Sequence, residues 1–450
     1  MQVATFAPVN HHIMRKHFFF SLSFLLIGLL MGLLQAQPAP QPPLQWKLGP
    51  RQGLVLKGST AAQLWVRQAW LNPGTLDANG QPHTISPDLG IRRARVSLSA
   101  QYRRTTAYLQ AGYNNQHISP GTFVWSRPVI HDAYLEHALY TSDRASLYLG
   151  AGHHYWGGVS RITSASYRST TTLDLPGFNL PNVNRTDRMG RQPGVFAHGS
   201  LGRIDYRFNL NKPYVFDQSD KATDTRAVNI ATSTWSTAGY AAWALLDRET
   251  YSTAFFTNSY LGRKRILNIG AGYYYHPDAS GTAGPAGIVP HDQMIWAVDA
   301  FLDLPMPRRA ALTAYATWQR LDYGPGYYRS SSVMNYFSDT DGRLALLDGP
   351  GLGEPGIGTG SIFYAQAGYL LPTRREQPHL RLMPFGAIHY KDLDYLDAPA
   401  IRYDAGIHLL PAFDKLRFAV QYTARPVIVQ PGRAHYGYRG HVILQTQFIL

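Results

Sequence analysis

The sequence predicts an all-β protein, an antiparallel up-and-down transmembrane barrel of about sixteen strands. The first observation is that polarity alternates with every second residue, most clearly in the last segment, Tyr438–Leu450. Val442, Leu444 and Phe448 share one face of this segment, and His441 and Gln445 share the other. Since successive side chains point to opposite faces of a strand, each such segment has one apolar side and one polar side.

Segments of this kind are spaced through most of the chain. In Arg93–Arg103, for example, Val96 and Leu98 share the apolar face, whereas Arg95 and Ser97 share the polar face. The predicted strands are 54–70, 93–103, 105–114, 130–140, 145–155, 194–201, 203–211, 233–246, 265–276, 292–303, 309–321, 358–371, 380–391, 401–409, 415–425 and 438–450. An even number of strands brings both ends of the chain to the same, periplasmic side of the membrane.

The second observation is that short and long connections alternate, as in barrels with short periplasmic turns and longer extracellular loops. Short turns are predicted at 103–104, 142–144, 202–203, 305–308, 372–379 and 411–414. Long loops are predicted at 71–90, 115–129, 156–193, 213–232, 277–291, 322–357, 391–400 and 427–437. The connection Asp247–Lys264 breaks the pattern, because it should be short and is long; it contains an extra hairpin or marks a misplaced strand.

Tyrosine and tryptophan cluster near the predicted strand ends, which is typical of the aromatic girdles at the two membrane interfaces. Aromatic residues also favour strands in any sheet, so this observation supports the barrel only together with the loop pattern. The residues are Trp65, Trp70, Tyr102, Tyr113, Tyr155, Trp156, Tyr273, Tyr274, Tyr275, Trp296, Trp318, Tyr390, Tyr422 and Tyr438.

The N-terminal segment resembles a secretory signal peptide. Arg15 and Lys16 precede the apolar run Phe18–Leu34, and Ala36 ends a plausible processing site; Met14 is an alternative start of translation. The alternative is a helix retained in the membrane, but the run is short for a bilayer span. We therefore expect a signal peptide over residues 1–36 and a single barrel domain over 37–450.

Composition limits the classes of function. The chain has no cysteine, which excludes disulfides, thiolate metal sites and a cysteine nucleophile. The formal net charge is +14, and 34 of the 42 basic residues are arginine, which binds carboxylates and phosphates through its planar fork. Because these cations are dispersed over alternate strand positions and form no basic helix or tract, we expect small anionic solutes as partners and no nucleic acid.

Signatures of an enzyme are weak. Gly351–Gly356 matches a dinucleotide-binding spacing, but Pro355 stands where the required helix should begin, so a glycine-rich loop is the better interpretation. The adjacent His153 and His154 point to opposite faces of a regular strand and cannot chelate one metal ion together. We expect no catalytic residues, no metal and no cofactor.

The polar face of the strands is rich in arginine. Inside a pore, rings of arginine form an electrostatic path that favours anions. The alternative for each residue is an ion pair with a neighbouring carboxylate that holds the barrel wall rigid. The candidate pore-lining residues are Arg67, Arg95, Arg207, Arg381, Arg402, Arg417, Arg425 and Arg439.

The loop 156–193 is the second candidate site, because a loop of this length is functional or disordered. It carries Arg161, Arg168, Arg185, Arg188 and Arg191. One interpretation is a segment that folds back into the barrel as a constriction; the other is a solvated surface loop.

Several short motifs resemble the phosphate-selective porin O/P family, in its branch from Bacteroidota-type outer membranes. They are Arg93-Ala94-Arg95-Val96, Asp132–Glu136, Asp205-Tyr206-Arg207, Leu267–Gly272, Arg425-Pro426-Val427 and Leu444–Gln447. The resemblance covers nearly the whole predicted barrel and implies a sixteen-stranded porin, often trimeric, whose third long loop folds inward and whose lumen arginines guide anions. This sequence departs from the family in having few lysines.

These observations lead to one functional expectation and two alternatives. We expect an outer-membrane porin, surrounded by lipid, that passes small hydrophilic solutes with a preference for anions, phosphate among them. A barrel of the same fold without a channel, acting in capsule or secretion assembly, is the first alternative. A soluble β-sandwich that binds acidic glycans is the second.

Overall fold

The computed structural model describes residues 44–48, 53–77, 79–117, 127–180, 190–214, 221–249, 255–334, 351–374, 380–411, 415–429 and 434–450. The predicted signal peptide lies outside these residues and remains a prediction. Sixteen long strands build the fold. They are β1 (Leu54–Trp70), β2 (Ile85–Tyr102), β3 (Thr105–His117), β4 (Val129–Thr141), β5 (Ala145–Tyr155), β6 (Arg191–Leu201), β7 (Ile204–Asn211), β8 (Ser236–Ala244), β9 (Ile266–Gly284), β10 (Gly287–Met306), β11 (Ala310–Asp322), β12 (Gly360–Leu370), β13 (Leu380–Leu393), β14 (Ala400–Pro411), β15 (Leu416–Val429) and β16 (Ala434–Ile449).

Each of these strands pairs with the next one antiparallel, and the last pairs with the first. β16 lies against β1 from the pair Ala61–Ile449 to the pair Ala69–His441. The sheet is therefore closed, and closure leaves no unpaired strand edge. The predicted fold class, the number of strands and the up-and-down order are confirmed.

The barrel wall is apolar outside and polar inside. On β2, Val96 and Leu98 are exposed on the outer surface, with 61% and 45% of their area accessible, whereas Arg95 and Ser97 are buried inside. A folded protein does not leave so much aliphatic surface in water, but lipid accepts it. The apolar stripe of each strand thus faces outward, as the alternation predicts, and does not pack on a second sheet; this agrees with the predicted outer-membrane location.

Most of the predicted girdle aromatics lie on the outer surface. Tyr102 is exposed near the end with the short turns, and Trp70, Trp296, Trp318, Tyr390, Tyr422 and Tyr438 toward the opposite end. Exposed aromatics outside the prediction are Tyr140, Trp243 and Tyr369 at the first end and Trp235 and Tyr403 at the second. Four predicted girdle residues, Trp65, Tyr155, Trp156 and Tyr274, are instead buried inside the barrel. The pattern of aromatic residues alone cannot separate the two faces, because large rings also fill the interior of this barrel.

The connections follow the predicted alternation with three exceptions. The loop predicted at 427–437 is largely strand, because β15 and β16 stay paired as far as Val429 and Ala434. The loop predicted at 277–291 is not a loop: β9 and β10 continue past the wall as a hairpin that closes at Gly284–Gly287. The connection Asp247–Lys264 does not contain an additional strand pair in its described part. Its residues fold back into the barrel from the short-turn end, where Glu249, Phe256, Asn258 and Ser259 are buried. We call residues 245–265 the inner arm.

Two further segments enter the lumen from the opposite end. The loop between β5 and β6, called L3 here (residues 156–190), packs Trp156, Val159, Ile162 and Phe178 into an apolar cluster. That cluster is built on the inner face of β8–β13 and includes Tyr274, Ile295, Phe301, Tyr315 and Tyr364. The second segment is the inner hairpin, Tyr328–Ser331 paired with Glu354–Gly358. It contains the glycine-rich loop, which continues into a strand and not into a helix.

L3 and the inner arm meet in the middle of the barrel. The backbone amide of Phe256 donates to the carbonyl of Ser164 at 2.8 Å, and the amide of Ser166 donates to the carbonyl of Phe256 at 2.8 Å. These segments occupy the β8–β13 side of the lumen, so the remaining space lies along β1–β6. No helix in the described part of the chain has the length and apolar character needed to cross a bilayer.

Candidate functional site: a basic cavity in the barrel lumen

A β-bulge in β2 places consecutive arginines inside the barrel. The register against β1 shifts between Gln63 and Leu64, which pair with Arg93 and Ile91. Arg92 is the additional residue of this bulge, and both Arg92 and Arg93 are buried, together with Arg95. A bulge re-aims side chains that regular alternation would send to opposite faces. Three guanidinium groups therefore point inward within four residues of one strand.

Asp174 of L3 holds two of these arginines. Nε of Arg92 donates to its carboxylate at 2.9 Å, and Arg93 donates to the other carboxylate oxygen. Burial raises the pKa of Asp174, but the attraction of Arg92 and Arg93 outweighs this effect, so the pKa lies below its ordinary value. The carboxylate therefore stays ionised and anchors L3 to the barrel wall.

Three other cations of this region contact only neutral groups among the described residues. Arg95 donates to the carbonyl of Tyr113 at 2.7 Å and to the side chain of Asn114. Arg168 of L3 donates to the hydroxyl of Ser59 at 3.0 Å. Lys57 is exposed on β1, in step with the inward-facing residues of that strand. Their positive charges are not neutralised by a carboxylate in contact.

Arg191 begins β6 and lies at the edge of the same region. Its guanidinium donates to Asp132 at 3.2 Å and lies over the rings of Tyr155 and Phe255, with centroid distances of 5.1 and 5.3 Å. The ion pair and the two aromatic rings fix the guanidinium in place.

These residues line a cavity of about 740 Å³ between L3 and the wall β1–β6. Its cations are Lys57, Arg92, Arg93, Arg95, Arg168 and Arg191, and the carboxylates on or beside it are Glu136, Asp132 and Asp174. Gln101 and Thr106, which flank the Arg103–Arg104 turn, also line it. The cavity thus extends from the arginine cluster toward the short-turn end, and its charge is positive.

The inner faces of β3–β6 add a patch of half-buried aromatic rings. The centroids of Tyr108 and Tyr134 are 5.2 Å apart. Tyr148 stacks on His198 at 4.8 Å with an angle of 4° between the rings. His198 also contacts Glu136 at 2.8 Å. Tyr108, Tyr134 and Tyr148 all line the cavity.

All eight candidate pore-lining arginines occupy inward positions in their strands, but only Arg95 lines this cavity. Arg67 pairs with Asp88 at 2.6 Å and donates to the carbonyls of Val333 and Met334. Arg402 pairs with Glu354 of the inner hairpin at 2.6 Å and with Asp404 at 3.0 Å. Arg402 thus attaches the inner hairpin to the wall, and Arg67 holds the residues that follow its first strand.

The other five take different positions. Arg425 is buried and donates to the carbonyls of Trp70 and Gly351. Arg207 lies over the ring of Phe256 at 3.8 Å, and Arg417 donates to the carbonyl of Arg168 at 3.0 Å. Arg381, near the start of β13, donates to the carbonyl of Arg309, and Arg439 of β16 donates to that of Tyr438.

The five arginines of loop 156–193 fall into three groups by position. Arg168 and Arg191 line the cavity. Arg161 is fully buried beside it: the guanidinium forms a bidentate pair with Glu249 of the inner arm at 2.5 and 2.8 Å and lies 3.7 Å from the centroid of Phe301. Arg185 and Arg188 lie outside the described residues. The described part of the loop folds into the barrel, as the first interpretation predicts.

Sequence reasoning missed Lys57, Arg92 and Arg93 as site residues. Lys57 and Arg93 stand in step with inward residues of their own strands, Ser59 and Arg95, so alternation contained that signal. Arg92 is out of step, and only the bulge brings it inward. In the described ranges, no group of three or more His, Cys, Asp and Glu side chains is arranged to hold a metal ion.

Comparison with solved structures places this barrel among outer-membrane porins. The channel DcaP of Acinetobacter baumannii is 13% identical, with 90% of this chain and 99% of that chain covered and a TM-score of 0.50. OprB of Pseudomonas putida, in a high-pH structure, is 12% identical, with 88% and 94% covered and a TM-score of 0.51. An anion-selective porin from Comamonas acidovorans is 10% identical, with 88% and 100% covered and a TM-score of 0.47.

The first two likenesses show that the chain has the porin fold. No family model and no curated protein matches the sequence, so the resemblance to the phosphate-selective O/P family has no support from these comparisons.

Proposed function

We propose that this protein is a passive porin of the outer membrane that passes small hydrophilic solutes and prefers anions. The observation that carries the proposal is the cavity of about 740 Å³, which six cations and three carboxylates surround among the residues that the structure describes. In a cleft with low-dielectric walls, an excess of one charge raises the local concentration of the opposite ion. Fixed charges at a narrow point of a pore set its selectivity.

The test is the reversal potential of single channels in a planar bilayer with a KCl gradient. We expect it to shift toward the chloride equilibrium potential. Arg95→Glu and Arg168→Glu should reduce this shift, because each replaces a cavity cation that lacks a carboxylate partner by an anion. Arg320→Glu, a substitution at an exposed arginine outside the cavity, is the matched control. A potassium-selective wild-type channel would contradict the proposed anion preference.

Phosphate is one anion that suits this cluster, since guanidinium forks bind phosphate oxygens in pairs. In the same bilayers, partial replacement of chloride by phosphate should reduce the chloride current at phosphate concentrations where equivalent acetate has no effect. An equal effect of both anions indicates general anion preference and contradicts a phosphate preference.

The alternative function, a barrel without a channel that acts in capsule or secretion assembly, is favoured only if the folded protein inserts into bilayers and gives no conductance. L3, the inner arm and the inner hairpin occupy much of the lumen, which is the observation on its side.

We also propose that three copies associate through the outer face of β2–β6. Its exposed large side chains are mainly aliphatic (Val96, Leu98, Leu109, Ile130, Leu135, Leu149 and Val195), whereas Trp and Tyr dominate the girdle on β8–β16. Aromatic girdles form where a wall meets the lipid interface. A stretch of wall that largely lacks them suits contact with another barrel, and closed symmetric assemblies are the rule for such contacts.

A further inference from the structure

The basic cavity contains more than an excess of charge. It brings together cations, rings and neutral hydrogen-bonding groups, and the three occupy different parts of the wall. The cations lie on β1, β2, L3 and the start of β6; the tyrosines lie on β3–β5, closer to the short-turn end. A small inorganic anion would need only the cations. The aromatic rings and the neutral hydrogen-bonding groups therefore point to a larger solute.

The aromatic part presents a continuous surface. Tyr108 lies against Tyr134, and Tyr134 meets Phe196 edge to face, with centroids 5.2 and 5.3 Å apart. The stacked pair Tyr148–His198 continues the same wall. Half-buried rings of this kind bind the flat face of a ring-shaped solute through its carbon atoms.

The neutral groups stand between the rings and the cations. Ser97, Ser99 and Gln110 line the cavity, and Gln110 donates to the hydroxyls of Ser97 at 2.9 Å and Tyr108 at 3.0 Å. Ser59 and Ser166 lie on the L3 side. Hydroxyl and amide groups both donate and accept hydrogen bonds, which matches a solute that carries several hydroxyl groups.

We propose that the cavity binds an acidic sugar, a pyranose ring with a carboxylate, and this specificity rests on the proposed channel function. The ring packs on Tyr108, Tyr134 and Tyr148, and the carboxylate reaches the cations Arg95, Arg168 and Lys57, none of which is paired with a carboxylate in the described structure. The sugar hydroxyls bond to the serine and glutamine side chains between them. The volume of about 740 Å³ lies within the range of small-molecule sites.

The experiment compares glucuronate with glucose, acetate and benzoate as blockers of the KCl current through single wild-type channels. We expect glucuronate to block at a concentration at least about tenfold below that of the other three, since it alone combines charge, ring and hydroxyls. Arg95→Gln should raise the half-blocking concentration about tenfold, equivalent to about 1.4 kcal/mol. Tyr134→Leu should also raise it, whereas Arg320→Gln should leave it unchanged.

The outcomes separate this inference from the proposed function. Block by acetate equal to that by glucuronate shows that charge alone acts and overturns the inference; tighter block by benzoate overturns it in favour of an aromatic acid. A conducting, chloride-selective pore that glucuronate does not block also overturns it and leaves the porin proposal standing. If the folded barrel does not conduct, the porin proposal fails, and titration calorimetry of glucuronate with the detergent-solubilised protein decides whether the site exists.

Discussion

At the scale of single residues, Asp174 has the largest influence on the cavity. It is the carboxylate that joins L3 to Arg92 and Arg93, with an Oδ2–Nη2 distance of 2.8 Å to Arg92. Without its charge, Arg92 and Arg93 lose this carboxylate, and the loop loses its ion pairs with β2. The same side chain therefore limits the positive charge of the cavity and positions one of its walls.

The effect of pH on this link follows from the lowered pKa of Asp174. A carboxyl group whose pKa is lower in the folded state stabilises that state fully above its unfolded value, about 3.9, and loses the contribution as the pH falls through the folded pKa. We expect the difference in current noise between the wild type and Asp174→Asn to stay constant from pH 7 to about pH 5 and to shrink only in more acidic solution.

Asp174→Asn should show at pH 7 the behaviour that the wild type shows only in acid. The noise should rise because one of the contacts that hold L3 to the wall is weakened, and chloride selectivity should rise because a negative charge is lost. Asp77→Asn is the matched control, since Asp77 bonds only to backbone amides of its own turn, at Asn79 and Gln81. Identical traces from Asp174→Asn and wild type would exclude the proposed anchoring role.

At the scale of elements, the main feature is the contact between L3 and the inner arm. Arg161 and Glu249 form its centre, and Glu249 also accepts from Tyr260 and Asn268. Asp299 of β10 accepts from the amide of Arg161 at 2.5 Å and from Tyr315 at 3.0 Å. L3 is thus held from the wall and from a segment that enters through the opposite end of the barrel.

Removing one partner of the buried pair Arg161–Glu249 should loosen the contact between L3 and the inner arm without unfolding the barrel. Glu249→Gln leaves Arg161 unneutralised, and breaking a buried pair costs about 3–5 kcal/mol. We expect flickering between conductance levels in single-channel records. The double variant Arg161→Met/Glu249→Leu removes both charges and should be quieter than Glu249→Gln. If both variants give wild-type records, the contact does not restrain L3.

The sequence predicts features that are set within a single strand, and it does not predict features that depend on contacts between distant parts of the chain. Alternation within one strand reveals all sixteen strands and places Arg95 inside, because the pleat has a fixed period of two. It cannot reveal Arg92, whose direction depends on a register shift against β1. Nor can it show that Asp247–Lys264 enters the lumen, since the contacts that hold the inner arm come from residues of L3 and β10 far away in the chain.

The same distinction explains the aromatic residues. Trp65 and Tyr274 stand at strand positions that suit a girdle, yet both are buried in the lumen. Alternation does report their direction, since Trp65 shares a face with Arg67 and Tyr274 shares one with His276. It does not report the folded loops that these rings pack against, such as Leu173 and Met334 beside Trp65. Likewise, Arg67, Arg402 and Arg425 stand at inward positions by alternation, but the segment between β11 and β12 that contacts all three is a tertiary feature.

At the scale of the whole molecule, the outer surface predicts how barrels assemble. Because the chain has no cysteine, single cysteines can report which faces meet. We expect Leu98→Cys/Leu149→Cys barrels in lipid to be joined by a short bis-maleimide into species of up to three chains, and the mass in mild detergent to be that of a trimer. Val298→Cys, exposed on β10, is the control and should give no cross-linked species although the barrels still form trimers. A monomeric mass, or equal cross-linking from both faces, would contradict the trimer.

The seam between β16 and β1 has a consequence of its own. The amides of Thr60 and Leu450 each donate to the other's carbonyl at 2.9 Å, and the carbonyl of Leu44 accepts from the amide of Gly58 at 2.9 Å. Leu44 and Leu450 thus bond to nearby residues of β1, Gly58 and Thr60. The wall is continuous there without a covalent link, so a short splice across the seam, with new ends opened at the Arg103–Arg104 turn, would preserve every strand pairing in a permuted chain order.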